Sequence, residues 1–158
     1  MTEIAEGEQY ERDFDWFCVD GAGEIGHFAT AGFKRLPRSV ERSAEDRDVL
    51  EEFFEKRLKG GRGCRVDADL SKEIATLKSG IDQSLRDFVG MAEKGLYSFD
   101  IETYLSPGSY YFRVAVPLLP LRFEDLPSNI REILGRTKLD VRWLKNSSRI
   151  PYEDTLAM

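Results

Sequence analysis

The chain has 158 residues, 41% of them apolar and 33% charged, which is the composition of an ordinary globular protein with one domain. No stretch approaches the ~18–20 consecutive apolar residues that a membrane span requires. The acidic start of the chain lacks the apolar core of a signal peptide. Two cysteines do not make a disulfide framework, so we expect a cytoplasmic protein.

The net charge of −6 is concentrated near the N-terminus, because residues 1–15 carry six acidic residues and one basic residue. We interpret residues 1–12 as an acidic, partly disordered leader and residues 13–158 as a single domain. A binding arm for a basic partner is the alternative interpretation of the leader. Nucleic-acid binding is disfavoured, since that function needs a basic surface.

The first predicted element is a β-hairpin over residues 13–32, DFDWFCVDGAGEIGHFATAG. Its first strand alternates two faces, with Trp16 on one and Asp15 on the other. Asp20 and the glycines that follow it supply the turn. The return strand carries His27, the only histidine of the chain.

Two helices follow, one over residues 43–59 and one over residues 70–94. Ser43 caps the first helix and Gly95 stops the second. Strands are then predicted at residues 96–105, 109–119 and 138–144, with a short helix at residues 128–134 before the last of them. The order β-β-α-α-β-β-α-β predicts an α+β fold with a mainly antiparallel sheet and helices packed on one face.

Metal and catalytic sites are difficult to assemble from these residues. The hairpin brings Cys18 and His27 to facing strands, but two ligands do not complete a zinc site. A catalytic triad needs a nucleophile, a base and a third group in contact. We therefore expect no metal, no cofactor and no catalytic residue, and we expect His27 to be half-buried and hydrogen-bonded.

Two glycine-rich stretches resemble functional motifs only in their letters. GAGEIG matches the dinucleotide-binding spacing, but a strand follows it where that motif requires a helix. The second stretch is KGGRGCR, in which Cys64 lies between Arg62 and Arg65. These two arginines would lower the pKa of its thiol. Because no second histidine is present to serve as its base, we interpret Cys64 as an ordinary loop cysteine.

The aromatic residues favour surface recognition. Most of the ten Phe, six Tyr and two Trp lie in the predicted strands, and a sheet face left uncovered by helices would form an interaction patch. On this basis the candidate protein contacts are Asp15, Trp16, Tyr104 and Tyr110.

The hairpin, together with SYYFRVAVPLLPLRFEDLP and the later RIP, resembles a group of small uncharacterised bacterial proteins. Their hairpin follows the patterns D-x-D-W-F-x-V-D and G-x-[IV]-G-x-F. Such acidic single-domain proteins are similar to the immunity proteins of bacterial toxin systems. The resemblance implies a cytosolic inhibitor that binds one cognate toxin domain, and it implies no catalytic residues.

The leading hypothesis from the sequence is a non-enzymatic protein that binds and neutralises a basic toxin domain, since opposite charges suit such a pair. One alternative is a small-ligand protein or enzyme with a pocket around His27 and Asp20. A second alternative is a homodimeric scaffold built through an exposed strand edge. The oligomeric state stays open between these hypotheses.

Overall fold

The computed structural model describes residues 1–32, 34–67, 81–102, 110–140 and 143–158. It confirms the predicted α+β fold, with one curled, mostly antiparallel sheet and helices packed against it. The strands are β1 (Asp15–Val19), β2 (Ile25–Ala29), β3 (Cys64–Val66), β4 (Tyr97–Ile101), β5 (Tyr110–Pro117) and β6 (Arg149–Pro151). The helices are α1 (Glu6–Glu11), α2 (Arg38–Glu41), α3 (Ala44–Glu52), α4 (Ile81–Glu93), α5 (Ser128–Leu134), α6 (Trp143–Asn146) and α7 (Tyr152–Leu156), with a π-helical turn at Phe53–Arg57 and a 3-10 turn at Phe123–Asp125.

The strands are ordered β1-β2-β4-β5-β3, and β6 pairs with β5 beside β3. Four of the pairings are antiparallel, whereas β2 and β4 run parallel. A parallel pair needs a long crossover connection. The chain between β2 and β4 includes α2, α3, β3 and α4, and this crossover was not anticipated from the sequence.

The predicted hairpin is confirmed as β1 and β2. Trp16 lies opposite Phe28, Phe17 lies opposite His27, and Cys18 lies opposite Gly26. Since side chains alternate between faces along a strand, Cys18 and His27 point to opposite sides of the sheet and do not form a pair.

An aromatic stack fills the first face of the sheet. The ring of Phe28 lies 4.2 Å from that of Trp16 and 4.7 Å from that of Phe99, centroid to centroid, and both pairs are nearly parallel. Segments from both ends of the chain cover this stack, including Ile4 and Ile150. Which face is covered stayed open in the sequence; the stack itself is fully buried, so it offers no exposed interaction patch.

The second face packs against the longer helices. Phe17 contacts the ring of Phe54 in the π-helical turn at a centroid distance of 4.6 Å. This core cluster also contains residues of α3, α4 and α5, and its buried members are Phe17, Val19, Ile25, Leu50, Phe53, Phe54, Met91, Leu96, Leu121, Leu126, Ile130 and Leu134.

The helix ends follow the predicted signals. The hydroxyl of Ser43 accepts a hydrogen bond from the main-chain N–H of Asp46 at 3.2 Å, so Ser43 is the N-cap of α3. Gly95 ends α4 with a φ of +100°, a left-handed conformation that favours glycine. The first part of the helix predicted over residues 70–94 lies outside the described residues.

The short strands differ from the prediction. Residues 64–66 form β3, although Cys64 was interpreted as a loop cysteine, and residues 149–151 form β6, for which no strand was predicted. Lys138 and Leu139 only bridge to Val19, and α6 occupies part of the strand predicted over residues 138–144. Strands of three residues are too short to show a periodic pattern.

The N-terminal segment is attached to the domain. Ile4 is 3% exposed and Gln9 is fully buried, so a solvated leader does not describe these two positions. The Gln9 amide donates to the carbonyl of Ile4 at 2.9 Å and to Glu41 at 3.1 Å, and it accepts from the N–H of Leu36 at 2.7 Å. Within the described parts of the chain, no helix is long and apolar enough to cross a membrane.

Candidate functional site

His27 lies at the centre of the second sheet face, between Phe17 of β1 and Ser98 of β4. Its side chain is 1% exposed, and its Nδ1 is 2.7 Å from the hydroxyl of Ser98. The ring is tilted against those of Phe17 and Phe88 at centroid distances of 5.5 and 5.7 Å. The histidine is thus more deeply buried than the sequence suggested.

The second nitrogen of this histidine faces an acidic group. Nε2 of His27 lies 3.5 Å from Oδ1 of Asp15, but within the described parts of the chain it has no hydrogen-bond partner. A buried polar atom without a partner costs free energy. The side chain is therefore directed at Asp15 without satisfying the geometry of a hydrogen bond.

Three carboxylates converge beside this histidine, and we call them the carboxylate cluster. Asp15 comes from β1, Glu51 from α3 and Glu55 from the π-helical turn, and one oxygen of each lies within 4.8 Å of the others. Arg47 borders the cluster, since its guanidinium donates to the main-chain oxygen of Asp15 at 3.0 Å and to the carboxylate of Glu51. Helix α3 and the turn that continues it thus place their acids against the edge of the sheet.

The pKa values of two carboxyl groups in the cluster are shifted in opposite directions. Burial, together with the charges of Glu51 and Asp15, raises the pKa of Glu55. Burial also opposes ionisation of Asp15, but the neighbouring side chains, His27 foremost, outweigh it and lower its pKa. When protons bind to this cluster, Glu55 therefore takes one before Asp15 does.

A fourth carboxyl group lies in the same row of the sheet. Ala29 of β2 pairs with Asp15 on one side and with Asp100 of β4 on the other. Burial raises the pKa of Asp100 to about 7, and the charge of Asp13 adds to this effect. Asp13 itself accepts a hydrogen bond from the N–H of Ala31 at 2.7 Å.

Ser98, His27 and Asp15 lie in the order of a catalytic triad, but the arrangement does not suit catalysis. Ser98 is fully buried, so a substrate cannot reach its hydroxyl without rearrangement. A catalytic serine also has to be activated by a base that faces the substrate. The arrangement is better suited to holding a proton or a cation beside Asp15.

Asp20 does not belong to this group. Its Oδ1 accepts hydrogen bonds from the N–H groups of Ala22 and Glu24 at 2.9 and 3.0 Å, and it thereby closes the hairpin turn. It lies three residues after Phe17 and just beyond the end of β1, a separation of about 10 Å in extended chain. The structure therefore does not bring Asp20 and His27 together in a pocket.

A cavity of about 340 Å³ lies between the start of β1 and helices α2, α3 and α5. Its wall combines apolar side chains with three arginines, Arg42, Arg47 and Arg136. Neither His27 nor Asp20 lines it. The pocket expected around these two residues is therefore not this cavity.

The four candidate protein contacts have different surroundings. Trp16 is fully buried and its Nε1 donates to the hydroxyl of Tyr111 at 3.4 Å, so it is not available to a partner. Asp15 belongs to the carboxylate cluster. Tyr110 is half-buried beneath the guanidinium of Arg149, which lies 4.8 Å from the ring centre. Tyr104 lies outside the described residues.

Four acidic side chains of the N-terminal segment are exposed in whole or in part, and together we call them the acidic surface: Glu3, Glu6, Glu8 and Glu11. Tyr10 lies among them and is 48% exposed. Glu8 is paired with Arg12 at 3.0 Å and Glu6 lies 4.0 Å from Arg35. Because Gln9 is anchored in the domain, the acidic surface has a defined position.

The thiol of Cys64 does not have the properties of a reactive cysteine. Burial and the neighbouring carboxylate of Glu93 raise its pKa, and Sγ lies 3.5 Å from Oε1 of Glu93. The flanking arginines therefore do not control this thiol, which agrees with the interpretation of Cys64 as an ordinary cysteine.

Comparison of the chain with protein-family models, with curated proteins and with solved structures finds no match. The arguments about function therefore rest on the geometry of this chain. The sequence singled out Asp15 and His27, but it did not indicate Glu51 or Glu55. The one available signal was the spacing of these two glutamates, because residues four apart lie on the same face of a helix.

Proposed function

We propose that the protein is a non-enzymatic, cytosolic inhibitor of the immunity type, which binds and neutralises a cognate toxin domain with a basic surface. The observation that supports this proposal is the acidic surface on the N-terminal segment. Its carboxylates are exposed, while Ile4 and Gln9 of the same segment are buried in the domain.

Attachment of the segment matters for affinity. A disordered arm loses conformational entropy when it binds, whereas a surface that is already ordered avoids most of this cost. Hydrogen bonds hold the segment on both sides of Glu3: the N–H of Ile4 donates to the carbonyl of Glu41, and the N–H of Ala44 donates to the carbonyl of Thr2, both at 2.7 Å. Gln9 holds it again between Glu8 and Glu11. The backbone that carries these carboxylates therefore loses little conformational entropy when a partner binds.

Charge and aromatic contact have separate roles in this proposal. The carboxylates attract a basic partner and accelerate its association. Tyr10, half-exposed among them, offers the kind of amphipathic ring that commonly dominates binding energy at an interface. Tyr10 takes the place of the buried Trp16 among the candidate contacts.

The test is binding to the products of the genes adjacent to this one, taken as candidate toxin domains. The purified pair is titrated by calorimetry, and the association rate is measured at several salt concentrations. Reversal of Glu3, Glu6 and Glu11 to lysine should slow association by about tenfold or more at low salt and should flatten the salt dependence. Tyr10→Ala should mainly accelerate dissociation.

A matched variant tests whether the position of the charges matters or only their number. Lysine substitutions at Glu132, Glu153 and Asp154, all exposed, change the net charge equally but lie outside the acidic surface. If both triple variants weaken binding alike, the acidic surface is not the interface. If the neighbouring toxin domain does not bind the wild-type chain and is not neutralised by it, the proposal fails.

A homodimer is a second candidate, favoured by one observation. β3 is the last strand of the sheet path, and beside it Leu118 and Leu119 are 59% and 62% exposed, with Val66 at 41%. Exposed apolar residues next to a terminal strand are typical of association sites. Light scattering should then give twice the monomer mass, and Leu118→Ser with Leu119→Ser should restore the monomer.

A further inference from the structure

The carboxylate cluster carries more negative charge than its neighbours among the described residues balance. Asp15, Glu51 and Glu55 place three oxygens within 4.8 Å of one another. Arg47 contributes one positive charge and bonds directly to Glu51. Lys94 is directed at the main chain, since its ammonium group binds the carbonyl oxygens of Phe54 and Glu55 at 2.6 and 2.7 Å. A divalent cation would complete the balance.

His27 provides an independent observation at the same place. Its side chain is 1% exposed and its Nε2, directed at Asp15, has no hydrogen-bond partner among the residues that the structure describes. Its Nδ1 is held by the hydroxyl of Ser98 at 2.7 Å. Histidine ligands of metals commonly have one ring nitrogen fixed by a neighbouring group in this way, which leaves the other nitrogen free for the ion.

We propose that Asp15, Glu51 and Glu55 bind one divalent transition-metal ion. Nε2 of His27, which lies outside the 4.8 Å group but 3.5 Å from Oδ1 of Asp15, becomes the nitrogen donor when the ion is bound. The ligands are supported by rigid elements: β1, β2, α3 and the π-helical turn that continues α3. A π-helical turn changes the direction of the side chains that follow it and is frequent at functional sites. Here it carries Glu55, the exposed member of the cluster.

The donor set defines the class of metal. Three carboxylate oxygens and one imidazole nitrogen suit Zn²⁺ or Mn²⁺, whereas Mg²⁺ and Ca²⁺ prefer oxygen donors alone. Access is also defined, because Glu55 is exposed while Asp15 and Glu51 are half-buried. The ion would therefore enter past Glu55 and would bind against the edge of the sheet.

The experiment is a titration of the chelator-treated, metal-free protein with Zn²⁺, and separately with Mn²⁺ and Mg²⁺, by calorimetry. We expect one Zn²⁺ per chain and at least tenfold weaker binding of Mg²⁺. Glu55→Gln should weaken Zn²⁺ binding at least tenfold, and this exposed position allows the variant to fold. Glu52→Gln, an exposed neighbour on α3, and Cys64→Ser should bind Zn²⁺ like the wild type.

A crystal of the zinc-loaded protein locates the ion by anomalous scattering. The expected peak lies between Asp15, Glu51 and Glu55. Zinc affinity unchanged in Glu55→Gln, or a peak elsewhere, such as beside Cys64 and Glu93, would overturn the proposed site. Equal affinity for Zn²⁺ and Mg²⁺ would overturn the assignment of His27 as the nitrogen donor.

Discussion

Gln9→Ala should detach the N-terminal segment, and with it the acidic surface, from the rest of the domain. The substitution removes one acceptor and two donors from a fully buried position. The carbonyl of Ile4 and the N–H of Leu36, both on buried residues, then lose their partners. The change therefore tests whether the segment belongs to the folded domain.

The magnitude follows from these lost bonds. An unsatisfied buried polar group costs about 1–3 kcal/mol, and two main-chain groups are affected. We take the lower half of that range, because water can enter beside the exposed neighbours in α1, and expect a loss of about 2–4 kcal/mol in the free energy of unfolding. Helix propensity acts in the opposite direction, since alanine favours a helix slightly more than glutamine does.

Urea denaturation monitored by circular dichroism measures this loss. Glu11→Ala is the control, because Glu11 lies in the same helix but is exposed; its effect should stay within about 0.5 kcal/mol. If Gln9→Ala lowers the free energy of unfolding no more than Glu11→Ala does, the hydrogen bonds of Gln9 do not hold the segment on the domain and the inference is refuted.

Three further predictions concern the core and the pH dependence. Phe28→Ala should cost about 3–5 kcal/mol in thermal or urea unfolding, because the Phe28 ring stacks on Trp16 at 4.2 Å; a loss under about 1 kcal/mol would contradict this packing. Gly95→Ala should lower the melting temperature, since a Cβ at this φ of +100° would lie 2.6 Å from the N atom of Leu121. An unchanged melting temperature would contradict this close approach. Burial raises the pKa of Asp100 to about 7 from 3.8, so the folded state retains a proton that the unfolded chain loses, and stability should fall as pH rises through this window by up to about 4 kcal/mol. In urea unfolding measured between pH 3.8 and about 7, Asp100→Asn should reduce this pH dependence of the free energy of unfolding. A pH profile identical to that of the wild type would exclude Asp100 as the cause of the pH dependence.

The hairpin could be predicted because its information is local. Alternating faces around Trp16 and turn residues after Asp20 are enough to indicate two antiparallel strands. The α3 N-cap and the end of α4 at Gly95 were predictable for the same reason. The parallel pairing of β2 with β4 was not, since it depends on which distant strand meets β2.

Burial of Trp16 shows a second limit of local patterns. Alternation indicates that a strand has two faces, but it does not indicate what covers each face. Here Ile4 and Ile150, far apart in the sequence, pack over the face that carries Trp16. Glu51 and Glu55 were missed for a related reason, because their proximity to Asp15 arises only when α3 packs against β1.

The parallel pairing has a consequence for the order of folding. Gly26 pairs with Tyr97, about 70 residues later in the chain, and contacts of such long range slow folding. During synthesis the hairpin leaves the ribosome before its sheet neighbour β4 exists. Its aromatic stack then gains Phe99 from β4, and only afterwards Ile150 from β6. A nascent chain of this protein should therefore need protection from aggregation until residues near 150 have been made.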